Sequence, residues 1–235
     1  MKVIFVLILF FSLFISCQSQ TAKEFFEKGT AKYNLQDYSD AISDYNKAIE
    51  INPDHAEAYY NRGNAKGFLQ DYRGAISDYN KAIEINPNDA EAYDNRGIAK
   101  DNIQDYRGAI SDFNKAIEIN PKKANTYLNR GVAKSLLQDY RGSILDFSKS
   151  IEINPKEAVA YSNRGASKYS LQDYQGSISD FNKALEINAN DADVYFNRSL
   201  SKIKIGHKNS ACLDFSKAGE LGNENAYEAI KDLCN

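Results

Sequence analysis

The chain copies itself every 34 residues, six times over. Tyr59, Tyr93, Tyr127, Tyr161 and Tyr195 fall at that interval, and Phe25 continues the series backwards. The phrase Asn61-Arg62-Gly63 returns as Asn95-Arg96-Gly97, Asn129-Arg130-Gly131 and Asn163-Arg164-Gly165, then decays to Asn197-Arg198-Ser199. Ile51-Asn52-Pro53 returns at Ile85, Ile119 and Ile153. A period of this length signals a solenoid of stacked units rather than a closed globule. Six units run over 22–55, 56–89, 90–123, 124–157, 158–191 and 192–225, and the four prolines all fall in the connection that closes a unit.

One unit reads as a helical hairpin. Ala56–Leu69 carries Tyr59, Gly63, Ala65 and Phe68 at helical spacing. Asp71 is placed to cap a second helix, in which Ala75, Ile76, Tyr79, Ala82 and Ile83 form an apolar stripe. Asn86-Pro87 ends it, because proline disfavours a helical residue before it and lacks a backbone donor. Gly63 and Ala75 are small where helices should approach, with Ser143, Ser177 and Ser199 as small replacements. Tyr59, Tyr79 and Ile83 should fill the space between hairpins, each burial being worth roughly 1.5–3 kcal/mol.

Two charged columns are equally regular. Arg62, Arg96, Arg130, Arg164 and Arg198 form one, with Lys28 in the first unit, and Asp44, Asp78, Asp112, Asp146, Asp180 and Asp214 form the other. Arg62 lies eight residues before Gln70 and Asp78 eight after it, so an antiparallel hairpin brings them level. An Arg–Asp pair in each hairpin is expected; independent solvation of the two charges is the other reading.

The columns Tyr59, Gly63, Ala75, Tyr79, Ala82 and Pro87 resemble the tetratricopeptide repeat family. That resemblance implies an all-α, right-handed solenoid of six helix-turn-helix repeats, with first helices lining a concave groove. Arginine departs from the family's usual Leu before the glycine. The last unit deviates as an array end should: His207-Lys208 replaces Asp-Tyr, Gly219 replaces Ile and Asn223 replaces Pro. Residues 226–235, with Ala226, Ile230 and Leu233 at helical spacing, read as a cap helix.

The first residues belong to no repeat. Met1-Lys2 precedes an apolar run, Val3–Ile15, too short for a comfortable membrane span of about 20 residues. It reads as a secretory signal over 1–16, followed by a short tether over 17–21. Leu13-Phe14-Ile15-Ser16-Cys17 resembles a bacterial lipobox, implying lipidation of Cys17; plain secretion with cleavage near Ser19 is the other reading. Gln18, not Asp, follows Cys17, which favours the outer membrane among such lipoproteins. Export leaves Cys212 and Cys234 as a candidate disulfide, the alternative being two buried thiols.

The candidate binding face follows from spacing. Glu57, Tyr60, Asn61, Asn64 and Phe68 share a helix face that the core residues leave free. Its equivalents are Glu91, Asp94, Asn95 and Ile98, then Asn125, Leu128, Asn129 and Val132, then Ser162, Asn163 and Ala166, then Phe196, Asn197 and Leu200. The constant column Asn61, Asn95, Asn129, Asn163 and Asn197 can grip a peptide backbone, or can bond a neighbouring helix. The carboxylate clamp by which some family members hold heat-shock chaperones is missing: Tyr60, Glu91, Asn125 and Asn129 stand where cations are needed. Glu57, Glu91, Asp94 and Asp101 instead suggest a partner segment that is extended, basic at one end and apolar at the other.

Other functions find little support. A net charge of −3 with evenly spread Lys and Arg argues against a nucleic-acid binder. His55 and His207 read as surface residues, and no metal, phosphate-loop or catalytic motif appears, so no cofactor and no enzymatic activity are expected. The expectation is a non-catalytic adaptor for a protein or extended peptide in the bacterial envelope, held to the membrane by its lipid alone. The competing class is an exported solute- or glycan-binding protein using Tyr60, Tyr169 and Phe196 as stacking platforms.

Overall fold

The structure, a computed structural model, describes residues 21–234. The expected signal segment over 1–16 and the expected lipidation site Cys17 therefore lie outside the described residues. Thirteen helices and no strand occur among those described. The chain divides after Ile119 into two compact units.

The first unit holds three hairpins: α1 (21–34) with α2 (Tyr38–Ile51), α3 (Ala56–Phe68) with α4 (Tyr72–Ile85), and α5 (Ala90–Asn102) with α6 (Tyr106–Ile119). The second holds three more: α7 (Ala124–Leu136) with α8 (Tyr140–Ile153), α9 (Ala158–Ser170) with α10 (Tyr174–Ile187), and α11 (Ala192–Lys204) with α12 (Lys208–Glu220). The cap α13 (Asn225–Leu233) follows them. Within each unit every helix packs on its neighbours in sequence, and first helices of successive hairpins also touch. The second helix of a hairpin starts at Tyr72, directly after its cap Asp71, three residues earlier than the apolar stripe alone indicates.

The first five hairpin turns are built the same way. Asp71 N–H donates to the Lys66 carbonyl at 2.9 Å and Gln70 N–H to the Gly67 carbonyl at 2.9 Å, a Schellman closure of α3. Gln70 sits at φ 62°, and Gln36, Gln104, Gln138 and Gln172 repeat that left-handed conformation. In the sixth hairpin Gly206 takes the place at φ 80°. The Asp71 carboxylate then accepts from Gly74 N–H at 2.9 Å, so one residue ends a helix and caps the next.

The core is one aromatic per hairpin. Tyr45, Tyr79, Phe113, Phe147, Phe181 and Phe215 are buried from the second helices. In the first five hairpins the ring lies on the glycine of its own hairpin: a Cβ on Gly63 would stand 2.8 Å from the Tyr79 ring. Tyr59 plays a lesser part, half-buried against Ala82 and Ile83. Small residues meet between hairpins: Ala75 packs with Ala99, and at the equivalent places Ser143 hydrogen-bonds Ser167 and Ser177 hydrogen-bonds Ser201, both at 2.9 Å.

The expected ion pairs are present in both units. Arg62 donates twice to Asp78, from Nε at 2.9 Å and Nη2 at 2.6 Å, and Arg96, Arg130, Arg164 and Arg198 do the same to their aspartates. Three further contacts complete the arrangement. Lys66 Nζ reaches the second Asp78 oxygen at 2.8 Å, Arg62 Nη1 donates backwards to Asn46 at 2.6 Å, and the guanidinium lies 5.3 Å from the Tyr59 ring centroid. In the first hairpin Lys28 lies over the Phe25 ring, and Lys32 takes Asp44 at 2.8 Å.

The second unit closes on α13. Ala226 is buried and falls 34 residues after Ala192, in register with the residue that starts each first helix. Cys212 and Cys234 form a disulfide with Cα atoms 5.8 Å apart, tying the far end of α13 to α12. Closing a loop of 22 residues is worth about 3 kcal/mol.

Candidate functional site

The first unit carries an open cleft of about 510 Å³. Its walls are aromatic: Tyr33 from α1, Tyr60 and Phe68 from α3, and Tyr72 at the start of α4. Ile98 and Asn102 close the side formed by α5. Phe68 is 61% exposed, yet its ring stacks on Tyr38 at 4.8 Å and meets Tyr33 edge-on at 5.8 Å. An aromatic side chain held by other rings has little rotamer freedom left to lose on binding.

The floor is polar and internally bonded. Tyr79 donates its hydroxyl to Asn64 Oδ1 at 2.7 Å. Asn95 Nδ2 donates to the same oxygen at 2.9 Å and to Tyr60 Oη at 3.0 Å. Burial raises the Tyr79 phenol, with Tyr60 and Tyr33 nearby adding to it. Burial likewise pushes Tyr33 up to about 12, helped by Tyr38 and Tyr60. Both phenols thus stay neutral at physiological pH. Among the described residues no charged side chain lines the cleft.

The expected site residues fall as follows. Tyr60, Asn64 and Asn95 converge on the cleft, while Asn61 is half-buried on α3 beside it. Asp94 is only 2% exposed, so it presents no charge to a partner, which corrects its reading as a groove residue. Glu57 instead lines a separate hollow of about 350 Å³ with His55 and Phe26. The acidic residues stand near the starts of their helices or turn inward, while the cleft forms along the later turns; the expected acidic lining is therefore not part of it.

In the second unit Leu128 and Asn129 are half-buried on α7, and Asn163 on α9. Asn197 lines a smaller hollow of about 150 Å³ with Tyr169, Leu200 and Ala166. Phe196 packs edge-on against the core ring of Phe215 at 5.5 Å, and Tyr169 packs against Tyr174 at 5.4 Å. Among the described residues no group of three His, Cys, Asp or Glu side chains could hold a metal, and no helix is long and apolar enough to cross a membrane.

Sequence reasoning missed the Tyr79–Asn64 bond, although its signal was legible. Where the core aromatic is Tyr, the facing first-helix residue is polar: Tyr45 with Thr30, Tyr79 with Asn64. Where it is Phe, that residue is apolar: Phe113 with Ile98, Phe147 with Val132, Phe181 with Ala166, Phe215 with Leu200. A buried hydroxyl requires a partner, and removing both partners together leaves none unsatisfied.

Comparison with known proteins agrees with this geometry. A family model described as TPR repeat matches residues 29–67, and models described as tetratricopeptide repeat match 56–89, 78–111, 124–157 and 158–191. No curated protein matches the chain. Among solved structures, YrrB, described as a TPR protein with an unusual peptide-binding site, is 22% identical with a TM-score of 0.70, over 80% of this chain and 97% of its own. MamA from Desulfovibrio magneticus RS-1 is 20% identical with a TM-score of 0.69, over 72% and 96%. PilF of Pseudomonas aeruginosa is 15% identical with a TM-score of 0.76, over 91% and 98%. These likenesses are of fold. With family models matching through both units and hairpins repeating at 34 residues, the chain belongs to the tetratricopeptide repeat family.

Proposed function

We propose that this protein is a non-catalytic scaffold that docks an extended segment of a partner protein, and that it works in the bacterial cell envelope. The observation that carries the docking reading is the first-unit cleft: exposed, aromatic-walled, uncharged, and floored by side-chain amides. Apolar walls with a few fixed polar groups are the usual make-up of a binding site. The likeness to YrrB, whose description names a peptide-binding site, supports a peptide as the occupant.

The envelope reading rests on the sequence. Val3–Ile15 and the lipobox-like run ending at Cys17 support export with a lipid anchor, outer-membrane rather than freely periplasmic or secreted. A disulfide between Cys212 and Cys234 fits an oxidising compartment.

The test uses a photo-crosslinking residue at Asn102, on the cleft, and at Ser179, on an exposed face of α10. Discrete partner adducts from position 102, absent from 179, are expected in envelope preparations; matching adducts from both positions would overturn the docking reading. Metabolic labelling with palmitate should mark the protein and fail for Cys17→Ser. Equal labelling of the two would overturn the anchor.

A further inference from the structure

Among the described residues one hairpin joins its buried ring to an asparagine in the cleft. Tyr79 bonds Asn64, Asn64 bonds Asn95, and Asn95 bonds Tyr60. The next hairpin has Phe113 and Ile98 at the corresponding places and so has no such chain. After these bonds, Asn64 retains its amide N–H group and Asn95 its amide carbonyl, both on residues that line the cleft. Reversing both amides together preserves every contact and again leaves one donor and one acceptor. A peptide unit offers the complement of that pair.

We propose that Tyr79 is a positioning residue that fixes the Asn64–Asn95 pair to take one peptide unit, while Tyr33, Phe68 and Ile98 receive an uncharged aromatic side chain next to it. This rests on the cleft being the docking site. Three observations select the ligand. The lining carries no charge, which disfavours a Lys, Arg, Asp or Glu side chain losing its hydration there. Ring edges and faces at 4.8–5.8 Å already pack on one another, the geometry in which another aromatic adds well. The volume of about 510 Å³ suits a side chain with its flanking peptide units.

The probe is acetyl-Ala-Tyr-Ala-amide, titrated into the full chain and followed by NMR at the amides of Asn64, Asn95 and Ile98. Acetyl-Ala-Lys-Ala-amide is the control. The aromatic peptide should shift these signals and the lysine peptide should not; equal response, or none, overturns the ligand class while leaving the crosslinking test of docking to stand separately. Tyr79→Phe places in this hairpin the ring found in the four hairpins that follow it, so the fold is kept. Its affinity for the aromatic peptide should fall about tenfold, the size of one lost hydrogen bond.

A purely structural role for the hydroxyl is separated by the side-chain amide signals of Asn64 and Asn95 in the peptide-free chain, which Tyr79→Phe should shift or broaden. Unmoved amide signals with unchanged peptide affinity, and only a lower melting temperature, would overturn the positioning role.

Discussion

Arg164 and Asp180 are joined by two parallel hydrogen bonds, at 2.9 and 2.6 Å, across 16 residues of sequence. The aspartate is 3% exposed, and Lys168 holds its second oxygen at 2.7 Å. The same guanidinium donates to Ser148 of the preceding hairpin at 3.0 Å. One side chain thus sets both the register within its hairpin and the seating of that hairpin on the preceding one. Removing one partner of a buried pair leaves the other charge uncompensated, at a cost of about 3–5 kcal/mol. Asp180→Ala should lower stability by that amount in urea unfolding, and a double-mutant cycle with Arg164→Ala should show strong coupling. Additive losses would mean that the two charges act independently.

Ser150 stands where Ala48, Ala82, Ala116, Ala184 and Ala218 stand in other repeats. It is fully buried and its hydroxyl finds no hydrogen-bond partner among the described residues. An unsatisfied buried hydroxyl costs roughly 1–3 kcal/mol. Ser150→Ala should therefore stabilise the protein by about 1 kcal/mol, seen as a higher urea midpoint with unchanged slope. Ser177→Ala should lower stability by less than that, because Ser201 loses one bond but keeps the one it donates to the Asn197 carbonyl at 3.1 Å.

Gln104 adopts φ 64° in the turn between α5 and α6. A side chain in the left-handed region costs roughly 1–2 kcal/mol, part of which glycine returns through the freedom of the unfolded chain. Gln104→Gly should raise stability by about 1 kcal/mol or slightly less. Gly206→Gln, the converse change in the sixth hairpin, should lower it by a similar amount.

Burial raises the pKa of Asp101, and its Oδ1 is buried with no hydrogen-bond partner. The folded state then binds the proton more tightly than the unfolded state does. Stability must fall as pH rises from the ordinary carboxylate value of about 4 through the raised folded value, and the penalty persists at neutral pH. Asp101→Asn should stabilise the protein at pH 7, with the advantage shrinking as pH is lowered through the raised folded value and gone below about 4. A pH-independent difference between the two proteins would show that the charge of Asp101 is not the cause.

The disposition of the asparagine column shows how repetition limits inference. Asn95 and Asn197 occupy one column, yet Asn95 is bonded to Asn64 and Tyr60, while Asn197 lines a small hollow beside the ring of Phe181. What differs is the neighbouring hairpin, which supplies Tyr79 in one case and Phe181 in the other. Asp94 teaches the same lesson, since helical spacing places it beside Asn95 but burial takes it out of reach.

The sequence by itself determined the hairpin, its length, its caps and its internal ion pair. Each of these depends on residues within about one 34-residue period, and periodicity, turn chemistry and helix spacing act over that range. Only the tertiary structure decided which polar residues face a cleft and which are consumed in holding it. That outcome depends on side chains from adjacent hairpins meeting at hydrogen-bond distance, and a repeat that looks identical in isolation acquires different chemistry from a single hydroxyl next door.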